Sequence, residues 1–348
     1  MAYVPLPTRN SFTRNTLTAT AACTALAALL TGCGGSGDGT SDAVGAQGSG
    51  ALKVGVLFPG SLSDDGFMQS AYLGYQRAAK AHGAPGGKVS FSKVEQVTPA
   101  DYESALVRFA SGSDLVISLG GQTDAAVRKV APRFPKVKFV EIGGPADGKP
   151  LANLALYDPQ QAQAAYLAGA AAALLSKKGT VGFVGGQELP AIVNAADEFA
   201  NGAKKADPKV KVLAPQYAGD FNDVNKAKQS ALADYGAGAD VLGQIVNLGK
   251  KGMAQAATSS KGTLLGGPIA HPCGDAAYAG HVESDIGAEI EYAVGQLAAG
   301  SWKAEAVHFG LAFAKPANDI VLCGAPAGVT AKLDAIKKQL ADGTITTK

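Results

Sequence analysis

The chain of 348 residues has little of what several common functions need. Its charges nearly cancel, with 31 Lys and Arg against 29 Asp and Glu, a formal net charge of +2. The lysines are scattered among acids and form no basic stripe, so binding to nucleic acid by phosphate neutralisation is not expected. The histidines His82, His271, His281 and His308 stand apart, without a second ligand at metal spacing, which argues against a zinc site. Only His271-Pro272-Cys273 brings two soft ligands close together, and a turn is the expected reading. No Gly-x-Ser-x-Gly elbow occurs. Gly182, Gly185 and Gly186 follow a strand pattern, but their spacing fits neither the dinucleotide fingerprint nor a phosphate-binding P-loop; they read as tight strand-to-helix turns. Asp64 and Asp65 are adjacent, so neither a strand nor a helix would aim both at one substrate bond, and helix capping competes with any chemistry there. No cofactor and no metal are expected. Beyond Leu30 no apolar run is long enough to span a bilayer.

What the N-terminus does contain is a leader. Arg9 and Arg14, with no acid nearby, precede an alanine-rich apolar run from Leu17 to Leu30 that is too short for a spanning helix. It ends in Leu30-Thr31-Gly32-Cys33, which resembles a bacterial lipobox. Residues 1–32 are therefore expected to be a lipoprotein signal peptide, with Cys33 lipidated and the protein exported and membrane-anchored. Residues 33–50, almost all Gly, Ser, Asp, Ala and Thr, bury too little apolar surface to order. They should form a flexible tether with a root-mean-square span of roughly 20 to 25 Å. In an oxidising compartment the remaining Cys273 and Cys323 are a candidate disulfide, the alternative being two buried free thiols.

From Ala51 onward, short runs rich in Val, Leu, Ile and Phe alternate with longer Ala-rich segments, the pattern of β-α units around parallel sheets. Strands are expected at 52–58, 89–97, 114–119, 137–142 and 154–157, and helices from about Ser63–Asp65 to His82, at 101–110 and at 125–134. A long alanine helix follows over about 159–175. The pattern then restarts with strands at 180–184, 210–213 and 240–246, which marks a second lobe, and a terminal helix is expected over about 330–340. In open parallel sheets ligands bind beyond the carboxyl ends of the strands, so the loops after Phe58, Leu119, Val184, Pro215, Val246 and Gly266 are the ones to watch.

Several of those loops together resemble one family. Ser63-Asp64-Asp65-Gly66-Phe67-Met68-Gln69-Ser70-Ala71 is similar to the first-loop motif of the basic membrane protein (Bmp/Med) solute-binding lipoproteins. Gly120-Gly121-Gln122-Thr123-Asp124 with Val130-Ala131-Pro132-Arg133-Phe134-Pro135, then Tyr166-Leu167-Ala168-Gly169, extend the likeness. Gly182 to Pro190, Phe199-Ala200-Asn201-Gly202 and Asp220-Phe221-Asn222-Asp223 carry it into the second lobe. The resemblance implies a type I periplasmic-binding fold: two doubly wound parallel-sheet lobes joined by a hinge, closing on a solute that passes to an ABC permease and its ATPase.

The boundaries expected on this basis are 51–157 plus about 279–309 for lobe 1, and 158–278 plus about 310–348 for lobe 2. The family's ligands are mainly purine nucleosides. Phe67 and Phe221 would then stack on a base from opposite lobes; taken alone, each reads as a core or hinge residue. Asp64 and Asp124 match the acids of the first and second loops and would accept hydrogen bonds, or cap helices instead. Asn247 would offer a donor and an acceptor, or hold a turn.

Three positions depart from the family pattern. Met68 replaces an asparagine, Gly266-Gly267-Pro268-Ile269 replaces an acidic loop, and Glu283 stands where a lysine is usual. Because each hydrogen bond lost to a buried hydroxyl costs about 1 to 3 kcal/mol, these changes favour a nucleobase or another small heterocycle over a nucleoside. The expected protein is a monomeric non-enzyme. The rival readings are a ligand-sensing lipoprotein serving a membrane receptor or kinase, and a nucleoside-processing enzyme.

Overall fold

A computed structural model describes residues 51–83, 87–145, 147–271 and 273–348. The expected signal peptide and tether, and the expected lipidation site Cys33, lie outside the described residues. In chain order the elements begin with strand β1 (Leu52–Leu57), helix α1 (Phe67–His82), β2 (Val89–Val94), α2 (Tyr102–Ala110), β3 (Leu115–Leu119) and α3 (Asp124–Val130). They continue with β4 (Lys138–Ile142), β5 (Leu154–Asp158), α4 (Gln161–Leu175), β6 (Thr180–Gly185), α5 (Pro190–Ala206), β7 (Lys211–Val212) and β8 (Gln216–Tyr217). After these come α6 (Val224–Gly236), β9 (Val241–Ile245), α7 (Lys250–Ser260), β10 (Thr263–Gly266), β11 (Tyr278–Ser284) and α8 (Gly287–Ala298). The last elements are β12 (Ala306–His308), β13 (Asn318–Leu322) and α9 (Ala327–Ala341). Among the described residues no helix is long and apolar enough to cross a membrane.

Lobe 1 is a six-stranded sheet in the order β12-β5-β4-β3-β1-β2, parallel throughout. A parallel sheet must be covered on both faces, and its strands alternate accordingly. Val54, Val56 and Phe58 pack with α1 and α8, whose Ile290 and Val294 belong to the same core. Leu57, Val116 and Phe139 pack on the other face with α2 and α3.

Lobe 2 is ordered β13-β11-β10-β9-β6-β7, with β8 also paired to β6. It is parallel except at β13, which closes the edge antiparallel to β11. One face is covered by α4, α5 and α9 and the other by α6 and α7.

The small residues that read as family motifs in α4 and α5 have a packing role. A Cβ on Gly169 would lie 1.9 Å from the Phe199 carbonyl oxygen, and one on Gly202 would lie 1.9 Å from that of Tyr166. The two helices cross with backbone against backbone, which only glycine permits. This crossing and the alanines around it explain why residues Ala162 to Ala173 of α4 are all buried.

The chain passes between lobes at Asp158–Gln161, at Ser284–Gly287 and between β12 and β13. Asn318 Nδ2 donates to the carbonyls of Pro159 (3.0 Å) and Gln160 (3.1 Å), tying the third crossing to the first, and Ser70 Oγ donates to the Ser284 carbonyl at 3.0 Å, tying the second to α1. The expected boundary near 279 needs correction. Residues Tyr278–Ser284 pair with β10 and β13, so they belong to lobe 2, and the return to lobe 1 begins only at about 285. Cys273 and Cys323 are joined by a disulfide, S–S 2.07 Å, which pins the loop after β10 to the end of β13.

Candidate functional site

The carboxyl ends of both sheets face one cleft, which holds two adjoining cavities. The inner one, of about 60 Å³, is walled by Gln161, Ala164, Ala165 and Ala168 of α4, by Phe183, and by residues from β9 to β11 including Gln244, Gly267, Pro268, Val282 and Ser284. The outer one, of about 620 Å³, is walled by loops of both lobes, including Met68, Gln96, Gly120–Gln122, Gln187 and Phe221. Phe67, Gln161, Ile245 and Asn247 border both cavities. Among the described residues, no Asp, Glu, Lys, Arg or His side chain lines either cavity.

Phe67 is the first residue of α1 and Phe221 sits in the loop between β8 and α6, so each lobe contributes one ring. Each ring rests on a residue without a Cβ. A Cβ at Gly143, where φ is +81°, would come within 2.9 Å of Phe67 Cζ, and a Cβ at Gly186 within 2.1 Å of Phe221 Cδ1. The acids flanking Phe221 hold its loop. Asp220 Oδ1 accepts from the Asn222 amide (2.6 Å) and the Asp223 amide (3.1 Å), while Asp223 caps α6 by accepting from the amides of Asn225 and Lys226, both at 3.0 Å. The Phe221 carbonyl in turn accepts from the Asn247 amide at 2.8 Å.

Asn247 spans the lobes, its Oδ1 accepting from the Phe67 amide at 3.3 Å. Gln244 stiffens the neighbouring loop. Its Oε1 accepts from the Val246 amide at 2.8 Å, and its Nε2 donates to the Gly267 carbonyl at 3.2 Å.

The other three expected ligand contacts lie elsewhere. Asp64 is 1 % exposed, and its carboxylate accepts from the amides of Gly66 (2.9 Å), Met68 (3.3 Å) and Gln69 (3.0 Å) at the start of α1. That is the capping alternative: its oxygens are taken up by backbone donors that would otherwise be unpaired. Burial raises its pKa, against the pull of those amides and of Lys250.

Asp124 is paired with Arg128 at 2.6 Å and lies against Glu141. Glu141 is buried with no hydrogen-bond donor to its oxygens. Burial, and then the Asp124 carboxylate beside it, push its pKa up to about 9, with Arg128 opposing. Glu283 is on β11, where successive side chains alternate between faces. Val282 and Ser284 therefore line the inner cavity, while Glu283 points the other way, half exposed and 3.6 Å from His281 Nε2.

Sequence reasoning missed Lys250. It opens α7, and its ammonium is fully buried, donating to the Gly267 carbonyl at 2.9 Å and to the Asp65 carbonyl, with Asp65 Oδ2 at 3.4 Å. Burial lowers its pKa and the Asp65 carboxylate partly restores it.

Two α/β lobes, three crossings and a cleft at the carboxyl ends of both sheets define the type I periplasmic-binding fold. The chain belongs to the Bmp family: the family model described as "ABC transporter substrate-binding protein PnrA-like" matches residues 51–264. It is 32 % identical over 243 residues to an ABC transporter nucleoside-binding protein, BmpA, of Lactococcus lactis, covering 67 % of this chain and 66 % of that one. It is also 32 % identical over 198 residues to a purine-binding protein of Brucella abortus, covering 56 % and 54 % respectively. The chain thus spans a little over half to two thirds of the length of these curated relatives. Among solved structures, an ABC transporter solute-binding protein of Aeropyrum pernix superposes with a TM-score of 0.74 at 19 % identity, over 85 % of this chain and 92 % of that one, a likeness of fold alone.

Proposed function

We propose that this chain is the extracytoplasmic solute-binding subunit of an ABC importer. In this reading it is anchored through a lipidated Cys33 and captures a small neutral heterocycle, a purine nucleoside, nucleobase or related compound, for a permease and its ATPase. The observation that carries the reading is the chemistry of the cleft: one aromatic ring from each lobe, polar groups limited to amides, hydroxyls and backbone, and no ionisable Asp, Glu, Lys, Arg or His side chain on its walls. A charged solute would exchange water for a site without a counter-charge, at a cost of several kcal/mol. A flat neutral solute gives up little hydration and gains stacking. The outer cavity, about 620 Å³, lies within the usual range for small-molecule sites. Relatives named for nucleoside and purine binding support the same solute class.

Thermal unfolding across a panel tests this. At one hundred times its dissociation constant a bound solute adds about 2.7 kcal/mol, a rise in Tm of roughly 4 to 5 °C. Inosine, guanosine, adenine or hypoxanthine should produce such a rise, and glutamate, spermidine and AMP should not. Stabilisation by the charged compounds alone would overturn the proposal.

A further inference from the structure

Lys250 is a surface-type residue in a fully buried place. Lys250 and Lys251 open α7 side by side, yet the Lys250 side chain has 0 % exposure. Its ammonium has three oxygen neighbours: it donates to two carbonyls and stands 3.4 Å from a carboxylate oxygen. One of them, the Gly267 carbonyl at 2.9 Å, is in its own lobe, in the loop that walls the inner cavity beside Pro268. The other two are the carbonyl and the carboxylate of Asp65, in the first loop of lobe 1.

Asp65 is arranged for this contact. Its backbone is in the left-handed region, φ +55°, a turn conformation that Asp tolerates better than most residues. Its amide donates to Gln69 Oε1 at 2.9 Å, which fixes the loop to α1. His271, 3.8 Å from Asp65 Oδ2 and stacked on Tyr278, borders the same carboxylate from lobe 2, and Asp64 lies beneath. His271 also touches both walls, lying against Gly266 as well as Asp65, but within this cluster only Lys250 hydrogen-bonds to both.

We propose that Lys250 is the closure latch of the cleft: when the lobes meet, its ammonium captures Asp65 across the seam and fixes the Gly267–Pro268 wall in the same step. The inference rests on the two-lobed binding reading only in that the lobes open and close. It also fits the neutral character of the cleft. A solute without charge cannot bridge the lobes electrostatically, so the protein supplies that ion pair itself, and a closed population exists before any solute arrives.

The experiment is an interlobe distance distribution, by paired probes, on the full chain with no solute added. Wild type should show a closed fraction. Lys250→Met should lower the closed-to-open ratio roughly ten- to hundredfold, the range for hydrogen bonds to a charged group. Asp65→Asn, which keeps the backbone carbonyl and lies on the other lobe, should lower it less and guards against a folding defect in the first variant. The double variant should be no more open than Lys250→Met alone, because one shared bond cannot be lost twice. A wild type with no closed population, or variants whose effects simply add, would overturn the latch. Because no solute is present, failure here leaves the solute assignment standing, and failure of the solute panel leaves the latch standing.

Discussion

The crossing of α4 and α5 makes a prediction in which one substitution has opposite signs at two sites. Gly202→Ala places a Cβ 1.9 Å from the Tyr166 oxygen, 2.7 Å from its carbonyl carbon and 3.0 Å from its Cα, all backbone of the facing helix. An ordinary carbon-to-oxygen contact is about 3.3 Å, so α5 must withdraw by roughly 1.4 Å. Neither helix can give locally, since the clash is with main chain. Overpacking of this kind costs about 1 to 3 kcal/mol, and a gap near 1 Å elsewhere along the contact forfeits up to about half of its dispersion energy. Alanine recovers about 1 kcal/mol in helix propensity. The net loss should be about 2 kcal/mol, or a Tm lower by roughly 3 °C.

Gly295→Ala, in the interior of α8 with nothing within 4 Å of its Cβ position, should instead gain up to about 1 kcal/mol. Thermal and urea unfolding of both variants by circular dichroism is the assay. If the two substitutions shift stability in the same direction, the backbone-contact crossing is wrong.

Two further predictions concern buried acids. Asp234, packed against Gly182 of β6, has its pKa pushed up by burial from 3.8 to about 7. The folded state therefore keeps a proton that the unfolded state has lost, so the contribution of this group to stability is full below about pH 4 and is lost as pH rises to 7, by up to ~1.4 kcal/mol per pH unit. Asp234→Asn should flatten that slope in urea midpoints measured from pH 4 to 7, and an unchanged slope would assign it to another group. Asp64→Ala leaves three amides at the start of α1 without an acceptor and should cost about 1 to 3 kcal/mol, read by urea unfolding at pH 7. Full stability in that variant would contradict the capping role.

The strands of both sheets that run through the core were readable in the sequence, because Leu52–Leu57, Leu115–Leu119 and Val241–Ile245 are short runs dominated by Val, Leu and Ile, each with only one polar residue. The lobe boundary was not. Tyr278–Ser284 mixes Gly, His, Glu and Ser with apolar residues, and its membership of lobe 2 depends on pairing with β13 some forty residues later. In the cleft, Phe67, Phe221 and Asn247 were found through motif resemblance, and the structure brings all three to the cavity walls. Asp64 was ambiguous for a physical reason: a carboxylate beside a helix start serves a cap and a ligand equally well, and only its orientation decides. Glu283 was misplaced because strand alternation cannot be phased until the strand's ends are known. Lys250 gave no signal at all, since a lysine pair at a helix start normally faces water, and its burial comes from the other lobe closing over it.

The most direct test of the binding account is calorimetric titration of inosine and of hypoxanthine into the wild-type protein and, with whichever binds, into Phe67→Ala and Phe221→Ala. Stacking contributes about 1 to 3 kcal/mol per ring, so each substitution should weaken binding by roughly 5- to 150-fold while leaving unfolding midpoints close to wild type. Unchanged affinity in both folded variants would contradict the account, as would a wild-type protein that binds no purine compound.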